Sequence, residues 1–365
     1  MNKKILIIIN NLGIGGAERL VVDDINEMLR IGVDVSLITL APEPQKSFYN
    51  ELKLPPEQRV CVPFGSFFNI FSWIKLLHAI RRLKPAMVIT QLWYANTIGR
   101  IAARCVGVPI VLTFEQNVYD TVKTKKMFFV DWLLQNLSTK IIAVSQTVKK
   151  SLVAHSIKKS KIDVLYNSVD VSKFEVLNNI FNIKKEFHIS DSAFVFVFIG
   201  RLIHQKAVDV LIRAFKTVSE DSHLIIVGQG REREKLENLV SKTDITSRVT
   251  FVGIRNDIPQ LLLASGCFVL PSRYEGLPLV LAEACAAGVP IIVSDFEAAQ
   301  EVIINEVNGL IVPREDSEKL ATAMNRIVKD ESLRVKLAAG AKKTSDQFSI
   351  SHHVRAILRY TNELT

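Results

Sequence analysis

The sequence predicts two α/β domains, each a doubly wound parallel sheet with helices on both faces. The chain has 365 residues, which is more than one ordinary domain contains. Hydrophobic residues make up 48% of it and charged residues 23%, which is enough apolar material for two cores and excludes a disordered chain. Short apolar runs alternate with amphipathic stretches, and the alternation starts again after residue 190. Because the runs are continuously apolar, they indicate strands that are buried on both faces, as in Rossmann-like parallel sheets.

Five apolar runs predict the strands of the first domain. Each is rich in β-branched residues and is bounded by polar residues, glycine or proline. They are residues 5–9, 35–39, 86–90, 109–113 and 140–144. The first run is too short for the apolar core of a signal peptide, so we interpret it as a strand. No stretch of about eighteen residues is apolar and free of charged residues, so we expect no membrane-spanning helix.

A second series of apolar runs predicts the strands of the second domain. They are residues 194–199, 223–228, 248–253, 267–272 and 290–295. Polar residues cluster between the two series, at 168–190, where a linker is expected. We therefore expect one domain over 1–175 and another over 176–349.

The loop after the first strand, NNLGIGGAERL, is rich in glycine. Gly15 and Gly16 would let the backbone approach a ligand, and the N–H groups of a helix that starts near Ala17 would favour an anion. The dinucleotide pattern G-x-G-x-x-G fails because Glu18 occupies the third glycine position, and Walker A is absent. A glycine turn without a ligand remains the alternative.

Two cations follow the first strand of the second domain. Arg201 comes where the strand ends, and Lys206 precedes a helix that is expected to begin near Val208. A cation at a helix N-terminus opposes the macrodipole by roughly 0.3–1 kcal/mol. A bound diphosphate would reverse that balance through charge-assisted hydrogen bonds. Ordinary surface charge is the alternative.

The segment SRYEGLPLVLAEACAAGVP predicts a helix that runs to about Ala287. Pro278 suits the first turn, and Gly288 suits the end. The backbone N–H groups of Leu279 and Val280 would then point into a ligand crevice. We include the preceding Gly276 and Leu277 in the same binding segment.

Two glutamates flank the start of this helix. Glu275 precedes it and Glu283 lies just over one turn inside it. Carboxylates are poor phosphate ligands but good acceptors for sugar and ribose hydroxyls, although solvated or capping roles remain open. In the loop VGIRND, Gly253 and Ile254 could form a backbone-lined slot for a nucleobase, which is a weaker signal.

Three of these motifs together resemble the retaining family-4 glycosyltransferases of the GT-B fold. They are GGAE at 15–18, GRL…QK at 200–206 and EGLPLVLAEACAAGVPIIVSD at 275–295, and the last, with its paired glutamates, is the specific one. The resemblance covers essentially the whole chain in order. It implies an acceptor-binding first domain, a donor-binding second domain that faces it across a cleft, and a last helix, 350–365, that packs back onto the first domain.

The resemblance also implies a role for individual residues. Arg201 and Lys206 would hold the donor diphosphate and stabilise it as the leaving group. Glu275 would contact the transferred sugar and Glu283 the ribose, while Gly15-Gly16 would close over the phosphates. Neither a catalytic nucleophile motif nor a D-x-D metal motif is present, so the chemistry is expected without metal or cofactor. A phosphate oxygen would take the acceptor proton, which retains the anomeric configuration.

The sequence departs from the family pattern at two places. Ala207 stands where the family usually has glycine, which costs little if the backbone there is not left-handed. Gln116, followed by Asn117, stands where many relatives have histidine. An amide side chain can form a hydrogen bond with a sugar hydroxyl, but it cannot accept and release a proton near neutral pH. We include Gln116 among the catalytic candidates, with Glu115 as a possible substitute for the histidine.

The surplus of positive charge, +9 overall, is confined to the first half of the chain. Residues 1–175 carry 23 basic and 14 acidic side chains, and residues 176–365 carry 23 of each. Basic and large apolar residues mix at 67–84 and 123–137, which is typical of contact with an anionic membrane. The expected membrane contacts are Phe67-Phe68 and residues 123–129. The alternative is that both segments pack into the core.

The four cysteines lie far apart without a C-x-x-C pair. This favours a reduced, cytoplasmic protein and argues against a disulfide framework and a zinc site. A basic surface also suits nucleic acid, but recognised binding motifs are missing, so nucleic acid is not expected as a partner.

The resulting expectation is a metal-independent, retaining hexosyltransferase. It would move a sugar from a nucleotide-sugar donor, UDP being the commoner one in the family, to a glycan or polyprenyl-linked acceptor in polysaccharide or glycoconjugate synthesis. We expect it in the cytoplasm or at the inner face of the cytoplasmic membrane. The alternatives are a nucleotide-sugar epimerase or hydrolase of the same fold and a catalytically silent partner subunit.

Overall fold

The chain divides into two compact units. The computed structural model describes residues 4–118, 123–175 and 182–363. One unit contains Met1–Ser168 and Ser349–Thr365, and the other contains Val169–Phe348. The chain changes unit seven residues before the expected boundary, which itself borders residues 176–181 outside the described part.

The first unit is built on a seven-stranded sheet in which every neighbouring pair is parallel. The order is β3-β2-β1-β4-β5-β6-β7. The strands are β1 Ile5–Ile9, β2 Val35–Thr39, β3 Arg59–Cys61, β4 Met87–Gln91, β5 Ile110–Glu115, β6 Lys140–Ala143 and β7 Ile162–Val164. The helices of this unit that precede the passage of the chain into the second unit are α1 Gly16–Arg30, α2 Ile70–Leu83, α3 Trp93–Val106, α4 Lys125–Leu134 and α5 Gln146–Ala154.

The second unit repeats this architecture with six parallel strands. The order is β10-β9-β8-β11-β12-β13. The strands are β8 Phe194–Ile199, β9 Ser222–Val227, β10 Val249–Gly253, β11 Cys267–Leu270, β12 Ile291–Ser294 and β13 Leu310–Val312. The helices are α6 Ile183–Glu186, α7 Val208–Phe215, α8 Arg233–Ser241, α9 Ile258–Ala264, α10 Leu279–Ala287, α11 Ser317–Lys329 and α12 Glu331–Thr344.

The last helix, α13 Ile350–Glu363, belongs to the first unit and packs against α1. Val354 and Ile357 are buried in the same cluster as the β1 side chains. The Ser351 hydroxyl donates to Glu27 of α1 at 2.6 Å. Residues 364–365 of the expected helix lie outside the described part.

Two separate hydrophobic clusters cover the two faces of the first sheet. One joins β1 to α1 and α13, and the other joins it to α2 and α3. Consecutive side chains of β1 alternate between them: Ile5 and Ile7 enter the first cluster, and Leu6 and Ile8 the second. Continuous apolarity therefore reflects burial on both faces, and the prediction of two Rossmann-like domains is confirmed.

The ten predicted strands are present within two residues of their expected bounds, and three more were missed. The missed strands β3, β7 and β13 have three residues each and lie at sheet edges. A short edge strand needs no long apolar run, so periodicity does not reveal it. Among the described residues, no helix is long and apolar enough to cross a membrane.

Candidate functional site

The carboxyl edge of the second sheet brings together the loops that follow β8, β9 and β10. Gly200 N–H donates to the Val227 carbonyl at 3.0 Å, and Gly228 N–H donates to the Gly253 carbonyl at 2.7 Å. A Cβ atom on Gly228, whose φ is +133°, would lie 1.9 Å from the Gly200 carbonyl oxygen. Glycine is therefore required there, because the loops touch through their backbones. Ile254, half-buried, continues from Gly253 on this edge.

Lys206 is held against Glu275 at this edge. A short 3₁₀ turn, His204–Lys206, turns the Lys206 side chain inward, and its Nζ lies 2.5 Å from Oε1 of Glu275. Both side chains are about nine-tenths buried. The structure thus joins two predicted site residues that stand 69 positions apart in the sequence.

Arg201 differs from Lys206 in both exposure and pairing. It lies on the surface just beyond β8. No carboxylate of the described residues forms an ion pair with its guanidinium. An exposed, unpaired cation at the carboxyl end of a parallel sheet is available to an anionic ligand.

The backbone at Ala207 is left-handed, with φ +50° and ψ +36°. The condition under which alanine would cost little is therefore not met. An L-residue in this region is strained by about 1–2 kcal/mol, because its Cβ crowds the following carbonyl. The glycine that the family usually has at this position would relieve that strain.

The helix α10 begins and ends close to the expected residues. Gly288 caps it with φ +66°, and Pro278 precedes the first turn as the N-cap instead of lying within it. The first-turn N–H groups, at Leu279 and Val280, have no acceptor inside the helix. Glu283 lies half-buried on the next turn.

Gly276 and Leu277 connect Glu275 to this helix, and both are buried. The segment after β11 therefore carries the carboxylate, the buried connection and the helix N-terminus in immediate succession. The roles of these residues toward a ligand stay a prediction.

In the first unit, Gly15 and Gly16 lie at the start of α1. Gly15 is the N-cap with an extended backbone, φ −170°. Neither glycine has a positive φ, so left-handed freedom is not what the loop uses. A Cβ on Gly15 would collide with the Glu18 carboxylate, which folds back over the loop.

Gln116 follows β5 and forms an amide pair at the carboxyl edge of the first sheet. Its Nε2 donates to Oε1 of Gln91, the buried last residue of β4, at 2.9 Å. The position that many relatives give to histidine is thus neutral and directed by a second amide.

Glu115 lies beneath this edge in a buried ionic network that the sequence did not reveal. Its Oε2 accepts from Lys123 at 3.0 Å, and Lys123 also donates to Asp131 at 2.7 Å. Asp131 in turn pairs with Arg100, and Asn96 donates to Glu115 at 3.3 Å. The carboxylate is committed to these partners, which argues against Glu115 as a stand-in for the histidine.

A sequence signal for this network existed. Asp131 interrupts the apolar run MFFVDWLL, and Arg100 lies on the apolar side of α3. Charged residues on buried helix faces need partners, so each predicts another. Lys123, expected among the membrane contacts, is instead 5% exposed in its side chain and belongs to the interior.

The two apolar basic segments combine a core face with an exposed face. Leu76 and Ile80 of α2 are buried as expected. Phe67 packs on Tyr94 with ring centroids 4.6 Å apart, so of the expected pair only Phe68, 95% exposed, is free of the core. Other large apolar side chains are exposed on α2 and on α4: Ile70, Phe71, Ile74, Phe129, Trp132 and Leu133.

Family models match both halves of the chain. The model described as Glycosyltransferase Family 4 matches residues 14–173, and the model described as Glycosyl transferases group 1 matches residues 179–344. Each match therefore falls largely within one of the two units.

Curated relatives match over most of their length. The UDP-Gal:alpha-D-GlcNAc-diphosphoundecaprenol alpha-1,3-galactosyltransferase of Escherichia coli is 30% identical over 311 residues, covering 82% of this chain and 80% of that protein. The capsular polysaccharide biosynthesis glycosyltransferase CapM of Staphylococcus aureus is 28% identical, covering 87% and 86%.

Solved structures match over the whole chain. Anabaena Alr3699/HepE, in complex with UDP and glucose, superposes with a TM-score of 0.88 at 19% identity and 99% coverage of both chains. WaaG, a glycosyltransferase involved in lipopolysaccharide biosynthesis, superposes with a TM-score of 0.76 at 16% identity, covering 98% and 100%. At these identities the likeness establishes the fold.

Proposed function

The chain belongs to the family-4 glycosyltransferases of the GT-B fold, and from this membership we propose that it is a retaining hexosyltransferase with a UDP-sugar donor. It is a glycosyltransferase of polysaccharide or glycoconjugate synthesis, like the relatives it matches. The observation that carries the finer proposal is the carboxyl edge of the second sheet. There, Arg201 is exposed just after β8, and Lys206 pairs with the buried Glu275, which lies in the segment that leads into α10.

The donor diphosphate is assigned to Arg201, Lys206 and the first-turn N–H groups of α10. As the bond to the sugar breaks, negative charge grows on the diphosphate, and fixed cations and N–H dipoles stabilise it without reorganisation. These groups supply the positive charge that a bound divalent ion would otherwise bring, so we propose metal-independent turnover. UDP is preferred because the Escherichia coli relative is named for UDP-Gal and the Anabaena structure holds UDP.

The sugar and nucleoside contacts follow from the remaining residues of this edge. Glu275 accepts a hydrogen bond from a hydroxyl of the transferred sugar, and Glu283 accepts one from a ribose hydroxyl. Gly253 and Ile254 line the base with backbone at the end of β10. In the first unit, Gly15 and Gly16 offer the N-terminus of α1 to the donor phosphates.

The acceptor is assigned to the first unit, with Gln116 as the residue that orients its hydroxyl. An amide can donate to or accept from that hydroxyl but cannot carry its proton near neutral pH. The proton therefore goes to a phosphate oxygen of the departing diphosphate. The attack then takes place on the face from which the leaving group departs, which retains the configuration. We propose a glycan or polyprenyl-linked acceptor, in line with the diphosphoundecaprenol substrate named for the relative.

A peripheral membrane contact is part of the same proposal. Phe68, just before α2, and Phe71 and Ile74, on its exposed face, precede the basic Lys75 and Arg82. Exposed apolar groups insert at the headgroup boundary, and each nearby cation contributes about 1 kcal/mol toward an anionic surface. The inner face of the cytoplasmic membrane would present both the anionic lipid and a polyprenyl-linked acceptor.

The decisive experiment measures nucleoside diphosphate release with and without acceptor. The protein is incubated with a panel of UDP- and GDP-sugars, then with polyprenyl-diphosphate-linked sugars. A transferase releases UDP when donor and acceptor are both present, and the product keeps the donor's anomeric configuration. Release without acceptor would indicate a hydrolase, conversion to another sugar an epimerase, and binding without turnover a silent partner subunit.

A further inference from the structure

The Glu275 carboxylate accepts hydrogen bonds from three side-chain donors, two of which have no role in the reaction described so far. Its Oε1 accepts from Lys206 Nζ at 2.5 Å and from Ser272 Oγ at 2.8 Å. Its Oε2 accepts from Gln205 Nε2 at 3.0 Å. All four side chains are buried, so their geometry is set by each other and not by water.

The two additional donors are themselves fixed by the surrounding loops. Ser272 is fully buried, and its carbonyl accepts from Ser294 Oγ, at the end of β12, at 2.5 Å. Gln205 Nε2 also donates to the Tyr274 carbonyl at 2.9 Å, and the Gln205 carbonyl accepts from Arg273 N–H at 2.8 Å. Neighbouring strand ends therefore determine where the Glu275 carboxylate lies.

The pairing leaves Lys206 with donors to spare. An ammonium group has three N–H donors, and one of them serves Glu275. Two remain for a diphosphate. If Lys206 were removed, a buried carboxylate would stay unpaired at a site that must bind a dianion, and like charges there repel strongly.

We propose that Lys206 and Glu275 bind the donor as one unit, and that Ser272 and Gln205 are the positioning residues of that unit. The ion pair persists in the donor complex, with Lys206 bridging Glu275 and the diphosphate. Ser272 and Gln205 hold the carboxylate toward the sugar. This inference rests on the proposed donor site and gives a role to two residues that the sequence analysis did not single out.

A double-mutant cycle on UDP binding tests the first half of the proposal. Calorimetry is run on Lys206→Met, Glu275→Gln and the combination. We expect Lys206→Met to weaken UDP about 100-fold, Glu275→Gln to change it less than about threefold, and the combination to weaken it only about tenfold. Additive losses, with no recovery in the combined variant, would overturn the bridging pair.

The positioning residues are tested by kinetics against a matched control. Ser272→Ala and Gln205→Met should lower kcat of transfer about tenfold while UDP affinity changes less than about threefold. The control is Ser222→Ala, because Ser222 is also buried in this unit and its hydroxyl has no hydrogen-bond partner among the described residues. A kcat equal to that of the control would overturn the assignment, whatever the change in Tm.

The UDP donor assignment and the coupled Lys206–Glu275 pair are contradicted by different results. If the unaltered protein binds GDP in place of UDP, the donor assignment is wrong, and the same double-mutant cycle with GDP tests the coupling of the pair. If the protein binds no nucleoside diphosphate, the donor assignment and the coupled pair are both overturned. If it binds UDP and the cycle is additive, the donor assignment stands and the coupled pair is rejected.

Discussion

The carboxyl edges of the two sheets use charge in opposite ways. In the second unit, Arg201 lies exposed and unpaired among the described residues, and the Lys206–Glu275 pair lies directly at the edge. In the first unit, the edge carries the neutral Gln91–Gln116 amide pair.

Four charged side chains in the same unit are buried and pair with one another. Arg100, Lys123, Glu115 and Asp131 neutralise one another in the interior of the first unit. A diphosphate needs cations at the surface that meets it, whereas a sugar hydroxyl needs only a hydrogen-bond partner. The contrast therefore corresponds to the proposed division between donor and acceptor.

The largest expected effect concerns the buried network of the first unit. Asp131→Ala leaves Arg100 and Lys123 without their shared carboxylate and should lower the free energy of unfolding by about 3 kcal/mol. Trp73, Trp93 and Trp132 are the chain's three tryptophans, and all lie in the first unit, so urea unfolding followed by their fluorescence reports on it.

The control for this variant is the surface pair of Lys4 and Asp34, 3.3 Å apart. Asp34→Ala should cost less than about 1 kcal/mol, because solvent screens an exposed pair. Equal losses in the two variants would mean that the buried network contributes no more than a surface contact.

The exposed cation of the second unit is expected to matter most for turnover. If Arg201 supplies about 3 kcal/mol to the transition state, Arg201→Ala lowers the rate roughly a hundredfold. Arg326→Ala is the matched control, since Arg326 is also exposed in this unit but pairs with Glu306. Unchanged turnover in Arg201→Ala would remove this residue from the mechanism.

Membrane contact is a smaller effect that belongs to the first unit alone. Phe68→Ser combined with Phe71→Ser should weaken sedimentation with anionic liposomes about tenfold, because two exposed aromatic groups no longer insert. Val335→Ser, which removes an exposed apolar side chain of the second unit, should change nothing. If the unaltered protein stays in the supernatant at low salt, the contact is disproved.

The smallest expected effect is on the stability of the second unit. Ala207→Gly relieves a left-handed backbone and should raise the free energy of unfolding by about 0.5 kcal/mol, net of the flexibility that glycine adds. Calorimetry should show a Tm higher by about 1–2 °C. Ala214→Gly, inside α7, should lower Tm, and a fall in both variants would contradict the strain at Ala207.

The parts of the molecule that the sequence could predict are those encoded locally. Continuous apolar runs predicted ten strands, and Pro278 with Gly288 predicted both ends of α10. The edge strands β3, β7 and β13 escaped because each depends on a neighbouring strand more than on its own three residues.

What the sequence could not predict depends on contacts between distant residues or on backbone angles. Lys206 and Glu275 were each singled out for a ligand, but their mutual pairing across 69 positions appears only in three dimensions. The same holds for Arg100 and Asp131, 31 positions apart. The left-handed angle at Ala207 runs against alanine's own preference, and the family's usual glycine was its one sequence signal.

Two-substrate steady-state kinetics tests the division between the edges most directly. Gln116→Leu should raise the acceptor KM about tenfold and leave UDP affinity within about twofold, since the loss is one hydrogen bond to a hydroxyl. Arg201→Ala should weaken UDP binding and leave the acceptor KM unchanged. If both variants change the acceptor KM and the UDP affinity to the same extent, donor and acceptor are not bound separately by the two edges.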